Sequence, residues 1–408
     1  MKHICILTQS HLCRNPRVVK EANALHRAGY RVTILTTFTN EAQRLEDLTL
    51  IDEGIELRGV ENIIPGQTGK WHNMKTRMVR RIASEMISRL KWENVESLGY
   101  GFHRNLRAAV AQKADLYTCH QEMATVIGCK LLKKGFRVAF DLEDWYSHDL
   151  LPSANRYRPL KLLSAHEKYA LNHSPLVYTT SESMARGMQE FYGGKQAEVL
   201  YNVFPWAERE WLDGKYLDRI NRDKPSIHWY SQTIGPGRGL EFLVGALNKV
   251  KTPVDLHLRG NCRPDYENKL RSILPAGKEH GLFIHPLVPH KELLSRIAEH
   301  DIGLALEEYT PDSRNLTITN KILQYLLAGL PVIASDTAGQ QEVARLAPES
   351  VFLFGNKDEN ELAHNITLLL EDRGKLERSR KMALEYAKQT FCWEVQEKKL
   401  TGWIEKLI

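Results

Sequence analysis

The sequence predicts an α/β protein made of two doubly wound domains. Three observations carry that expectation. The chain has 408 residues, too many for one core of ordinary size. Strand-like and helix-like segments alternate from end to end, the pattern of a parallel sheet wrapped by helices. Residues 320–342, NKILQYLLAGLPVIASDTAGQQE, compress that pattern into one unit. Ile322, Leu323, Leu326 and Leu327 have helical spacing, Gly329 supplies a left-handed stop, and Pro331 blocks resumption. Residues 332–334 then read as a buried strand, and the loop 336–339 leaves at its carboxyl end, where open α/β sheets bind ligands. Thr317, Thr319, Asn320 and Lys321 put a polar helix start, a natural phosphate site, beside that edge.

Residues 4–7 are the first strand. Asn15 is placed to cap a helix over 16–28, with Pro16 at its first position and Gly29 after its end. Strands follow at 31–36 and 115–118, then a helix over 123–134 stopped by Gly135, and a strand at 137–140. A helix over 165–172 leads to a strand at 176–179, completing one sheet. VLYNVFP at 199–205 reads as the exit from this domain. A second series runs 226–230, 254–258, 282–285, 301–306, 332–334 and 351–354. Residues 393–408 form an amphipathic helix with Trp393, Val395, Leu400, Trp403, Ile404 and Leu407 available for burial. The expected domains are therefore 1–205 and 206–390, with 391–408 as a terminal helix.

Residues 70–91 interrupt the alternation. Seven basic residues stand there against one acid, Glu85, and Trp71, Met74, Met78, Ile82, Met86 and Leu90 recur on one face. The commoner fate of such a stripe is to be buried against the N-terminal domain with its charges solvated. The alternative is peripheral contact with an anionic membrane.

Hydrophobic residues make up 42% and charged residues 26%, which excludes a disordered chain. A net charge of +6 permits an anionic substrate or a membrane surface and does not demand nucleic acid, so no nucleic-acid partner is expected. The six cysteines form no Cys-x-x-Cys pair, and several lie in apolar strand-like runs; a reducing, cytoplasmic setting without zinc is expected, with the inner membrane face as an option. No uncharged run is long enough to span a bilayer.

Several residues carry candidate chemistry. Gly235, Gly237 and Gly239 lie in a loop between a strand and a helix, where backbone approaches a ligand closely, and Arg238 adds a permanent cation suited to a diphosphate. His120 ends the strand at 115–118, facing either a ligand or only its own core. Asp141, Glu143 and Asp144 reach the same edge, to hold hydroxyls or a basic group, or merely to cap a helix. The loop SHLCRNPR at 10–17 offers amides and Arg14 or Arg17 to an anion, and Glu307 and Glu308 end a strand of the second series. His280, His285 and His290 are five apart, which fits no common metal pattern.

These motifs, in this order, resemble the GT-B, retaining family 4 glycosyltransferases over nearly the whole chain. NPRVVKEANALHRAGYRVTILT looks like their first β-α-β unit, ADLYTCHQE like their Asp-x-x-x-x-His element, SQTIGPGRGLEFL like their glycine-basic-glycine loop, and residues 320–342 like their donor helix and strand. The resemblance implies two Rossmann-like domains facing a central cleft, with the last helix returning to the first domain. It implies a nucleoside diphosphate sugar as co-substrate and no cofactor or metal. The acceptor would be a glycan, a lipid-linked sugar or a small molecule, in cell-envelope polysaccharide or glycan biosynthesis. By position, His120, Arg238 and Lys321 are expected to be catalytic. Gly235, Gly237, Gly239, His285, Glu308, Thr319, Asn320 and Gln324 would hold the donor. Asn15, Arg17, Glu143 and Asp144 would hold the acceptor. Two glutamates usual in the family are replaced by Leu316 and Gln324, and Gln232 stands where a second basic residue is usual, leaving Lys321 to supply that charge. Epimerases and non-catalytic binding proteins on the same scaffold are the rival readings.

Overall fold

The computed structural model describes residues 1–219, 221–355 and 357–408. The chain divides into two compact units. One holds Met1–Leu200, Pro311–Ser313 and Glu397–Ile408; the other holds Tyr201–Thr310 and Arg314–Gln396.

The first unit is built on seven parallel strands: β1 His3–Leu7, β2 Arg31–Phe38, β3 Glu56–Asn62, β4 Leu116–His120, β5 Val138–Leu142, β6 Leu176–Thr179 and β7 Glu198–Val199. Their spatial order is β3-β2-β1-β4-β5-β6-β7. Ile4, Cys5 and Ile6 of β1 are wholly buried, as a strand covered on both faces must be. The order reverses between β1 and β4, where Ile4 pairs with Leu116 and Leu7 with Cys119. Arg27 pairs with Glu397 at 3.1 Å, and the Trp403 ring lies 6.1 Å from that of Tyr178.

The second unit has six parallel strands: β8 Ser226–Ile234, β9 Asp255–Cys262, β10 Gly281–His285, β11 Ile302–Ala305, β12 Val332–Ser335 and β13 Val351–Phe354. Their order is β10-β9-β8-β11-β12-β13, so the reversal falls between β8 and β11. The helix Asn320–Ala328 ends at Gly329, whose φ of 81° is the left-handed conformation the stop requires. One core of Ile227, Trp229, Leu243, Leu256, Leu304 and Ile366 fills this unit.

Two expectations are corrected. Asn15 precedes the helix Pro16–Arg27 but makes no side-chain cap; its amide is drawn instead to Glu143. The stripe on the helix Lys70–Leu90 does not pack inward. Ala83 and Ile87, on the other side, do so, while Trp71, Met74, Met78, Ile82 and Leu90 are exposed.

The second unit buries a cluster of neutral histidines. The rings of His228 and His300 stack at 4.6 Å, and His257 lies 4.6 Å from His300. Burial, helped by Arg259 and neighbouring imidazoles at His228 and by neighbouring imidazoles and Arg219 at His300, holds both well below the ordinary 6.5, and burial with His285 lowers His257 to about 3. A lowered native pKa means that the unfolded chain binds more protons below 6.5. Stability from these groups is complete above that pH and is lost as the pH falls from 6.5 towards 3. The melting temperature is therefore expected to drop on acidification through this window, and a His257→Gln variant that still folds is expected to show a shallower drop; identical pH profiles for the two proteins refute the assignment.

Candidate functional site

Parallel strands present their carboxyl ends to one edge, and a reversal of strand order leaves a crevice there. In the first unit this edge gathers the loop after β1, His120 at the end of β4, and Asp141 in β5. His120 is fully buried. Its Nδ1 lies 3.1 Å from Glu143 Oε1 and 3.3 Å from Asp141 Oδ2, and its Nε2 lies 3.2 Å from Glu21 Oε2. Burial favours the neutral ring, but Glu21, Glu143 and Asp141 outweigh it and hold the imidazole pKa well above its usual value. Glu21 moves oppositely: burial would raise it, but His120, Tyr178 and Thr118 lower it. His120 is thus an imidazolium gripped from both sides.

Arg17 forks onto Asp141, with Nε 2.5 Å from Oδ2 and Nη2 3.0 Å from Oδ1, and its Nη1 donates to the Leu200 carbonyl at 2.9 Å. Burial pushes Asp141 up to about 6, against the pull of Arg17 and His120. Asn15 donates to both oxygens of Glu143, at 2.8 and 3.0 Å. Asp144 is open to solvent although protein crowds it; that crowding, with Glu143 and Asp149, raises its carboxyl above the ordinary range. Glu21, His120 and Asp141 are close enough together to suggest metal ligands. The donor set argues otherwise: His120 directs its two nitrogens at different carboxylates, and a guanidinium already occupies Asp141.

Two residues that the sequence reading missed shape this edge. Gln121 has φ 72°, uncommon for a residue with a side chain. Its Oε1 accepts from Thr8 Oγ1, Gln9 N and Ser10 Oγ at 2.9–3.1 Å, tying β4 to the loop after β1. His11 Nε2 faces the amides of Thr39 and Asn40, so it is the acceptor, and the ring proton sits on Nδ1, donated to Asp47 at 2.7 Å. Neither forms a local motif; their partners lie up to 113 positions away.

In the second unit the reversal between β8 and β11 holds a cavity of about 230 Å³. Arg238, Gly239, Phe242, Glu307, Glu308 and Lys357 are among its walls. Gly237 and Gly239 both have φ 73°, which bends the chain so that Arg238 reaches the cavity. Gly235, at the start of the same loop, has only Thr233 Cγ2, at 3.9 Å, near its missing Cβ. Among the described residues Arg238 has no ion-pair partner. Lys321 differs: its Nζ lies 2.7 Å from Glu307 Oε1, which also accepts from Thr319 Oγ1 at 3.1 Å. The expected free cation is thus a paired one. Glu308 lies 3.7 Å from Arg314.

Of the remaining donor candidates, Gln324 and His285 stand apart from this cavity, whereas Thr319 and Asn320 lie behind its wall, where Thr319 touches Glu307. Gln324 is buried, and its Oε1 accepts the Tyr230 hydroxyl, so its carbonyl is committed to the core. His285 ends the outermost strand β10, engaged by Asp218 at 3.3 Å and His257 at 2.9 Å, and does not line the cavity. Thr319 and Asn320 open the helix Asn320–Ala328, and Asn320 Oδ1 accepts from Asn202 at 3.4 Å.

Comparisons agree with this architecture. Residues 15–202 match the model of the glycosyl transferase 4-like domain, and residues 225–372 match that of the glycosyl transferases group 1. No curated protein sequence matches the chain. Among solved structures, sucrose-phosphate synthase from Thermosynechococcus elongatus is similar at 15% identity and a TM-score of 0.69, with 100% of this chain and 99% of that one covered. HepE of Anabaena, solved in complex with UDP and glucose, gives 16% identity and a TM-score of 0.67 with both chains fully covered. A Listeria monocytogenes protein provisionally assigned as UDP-N-acetylglucosamine 2-epimerase gives 16% and 0.57, covering 100% of this chain and 96% of its own. At these identities the likeness is one of fold.

The loop before the helix Asn320–Ala328 is held by a close backbone approach. A Cβ on Gly339 would stand 2.4 Å from the Thr317 carbonyl oxygen and 2.9 Å from the Ile318 nitrogen. Gly339→Ala is expected to cost about 1–3 kcal/mol in urea denaturation, as overpacking against backbone does. An unchanged midpoint would show that residues 317–318 yield freely.

Proposed function

The chain belongs to the group 1 glycosyltransferases, with the GT-B fold, and from that premise we propose that it moves a hexose from a nucleoside diphosphate sugar to a hydroxyl acceptor with retained configuration and without a metal. The observation that carries the reading is Arg238: a guanidinium with no ion-pair partner among the described residues, lining a cavity at the strand-order reversal of the second sheet. Around that cavity stand four cations, Arg238, Lys357, Lys321 and Arg314, and two carboxylates, Glu307 and Glu308. The surplus is positive and suits a dianionic diphosphate. HepE was solved with UDP, which makes UDP-sugars the first donors to test.

The leaving group in such a reaction is the nucleoside diphosphate, so the main catalytic task is to stabilise charge as the glycosidic bond lengthens. Arg238 does this by charge-assisted hydrogen bonds, and the amides at the start of the helix Asn320–Ala328 add the positive end of its dipole. Lys321 contributes through Glu307, holding that carboxylate in place for sugar hydroxyls. The acceptor hydroxyl passes its proton to the departing phosphate oxygen. In the first unit, the accessible carboxylates of Glu143 and Asp144 offer hydrogen bonds to an acceptor glycan, lipid-linked sugar or small molecule, and the buried His120, with both ring nitrogens on carboxylates, acts by positioning Glu143. Assembly of cell-envelope polysaccharide or glycan is the pathway this reading favours.

The second reading is a sugar-nucleotide epimerase on the same scaffold, favoured by the likeness to the Listeria protein. Incubating labelled UDP-sugars with and without acceptor separates the two: transfer demands the acceptor, whereas epimerisation proceeds without it.

Arg238→Ala is expected to lower initial rates of transfer by about tenfold or more, with Arg238→Lys intermediate. Equal rates in a folded Arg238→Ala protein would remove the arginine from the mechanism. NMR of the first-formed product is expected to show the donor's anomeric configuration, and chelation with EDTA is expected to leave the rate unchanged; inversion, or loss of rate restored by a divalent ion, would overturn those parts of the proposal.

A further inference from the structure

The helix Lys70–Leu90 is fastened by one face and leaves the other bare. Ala83 and Ile87 are its buried residues. Around them His72 and Arg104 share Glu61, the Arg80 guanidinium lies 4.8 Å over the Tyr100 ring, and Arg156 donates to Ser88 at 2.8 Å. On a turn of 3.6 residues, Trp71, Met74, Met78 and Ile82 lie across the helix from Ala83 and Ile87. All four are exposed, Trp71 at 80%, and Leu90 and Trp92 extend the exposed apolar surface at the far end. Lys70, Lys75, Arg77, Arg81, Arg89 and Lys91 are exposed beside it, and the helix's single acid, Glu85, is paired with Arg89.

We propose that this face docks on an anionic phospholipid bilayer, with the helix lying in the plane of the interface. Each component matches that occupant. Methionine and isoleucine enter the headgroup–acyl boundary, the basic residues meet anionic headgroups, and a tryptophan at each end suits the interfacial layer. No helix among the described residues is long and apolar enough to cross a membrane, so the contact is peripheral. A second copy of the chain would set these cations against one another. A soluble polyanion would satisfy the charges and leave Trp71, Met74, Met78 and Ile82 in water. The proposal stands on this helix alone and is independent of the donor assignment.

The test is flotation of the full chain with vesicles of phosphatidylcholine alone and of phosphatidylcholine containing about a third phosphatidylglycerol. The wild type is expected to float with the anionic vesicles only and to be released by high salt, since screening removes the headgroup attraction. Two double variants alter exposed positions only: Arg77→Glu with Arg81→Glu, and Met78→Ser with Ile82→Ser. Each is expected to keep the wild-type circular dichroism and melting curve and to partition about tenfold or more weakly. Absence of flotation, flotation indifferent to lipid charge, or equal flotation by both variants would overturn the proposal. So would a wild-type dimer in light scattering that both variants abolish, which would assign the face to a second copy.

Discussion

Between β1 and β4, and again between β8 and β11, successive crossovers turn in opposite directions along the sheet. Right-handed crossovers then send their helices to opposite faces, which opens a crevice at the carboxyl ends of the two central strands. The chain places its least ordinary chemistry at those gaps. In the first sheet it is a buried histidine among carboxylates; in the second it is an arginine lining a cavity. The backbone between them can vary widely in sequence because parallel pairing asks only for apolar strands. This explains how chains 15% identical share a TM-score of 0.69.

The two gaps treat charge in opposite ways. A buried ion costs several kcal/mol unless partners replace its hydration, so a cluster that is closed must be internally balanced. Arg17, His120, Asp141, Glu21 and Glu143 meet that demand with forked and two-sided contacts, and Tyr178 adds a 2.6 Å hydrogen bond to Glu21. Such a cluster is rigid and holds its neighbours in place. The cavity of the second unit is not balanced in this way: Arg238 is half-exposed and without an ion-pair partner among the described residues. An unbalanced cation is tolerable only where water or an anionic ligand can reach it, and this distinguishes a position poised for binding from one devoted to architecture.

The fold class was legible in the sequence because parallel strands buried on both faces are continuous apolar runs, as in ICIL of β1 and VIA of β12. β3, ELRGVEN, was missed because it is an outermost strand and mixes polar with apolar residues. Arg238 and the glycines around it were legible because a positive φ selects glycine locally. Gln121 was not, since its role comes from φ 72° and from partners on another strand. The basic helix was misjudged for a similar reason. Its longer apolar stripe looked like the packing face, yet two residues on the other side, Ala83 and Ile87, carry the packing. Periodicity reveals that a helix has two faces but not which of them the sheet receives.

The same limit applies to charge. Lys321 stands one position into a helix that faces a ligand edge, and position alone makes it a free cation for phosphate. Its Nζ instead lies 2.7 Å from Glu307, a residue 14 positions earlier at the end of a different strand. With Leu316 and Gln324 apolar and neutral, Glu307 and Glu308 are the acids that line this cavity. Lys321 and Thr319 hold Glu307, which keeps an anion beside Arg238 without letting the two neutralise each other directly. The arrangement separates a carboxylate fit for hydroxyl groups from a guanidinium fit for phosphate. A ligand that carries both kinds of group, joined through one phosphate ester, satisfies the two at once.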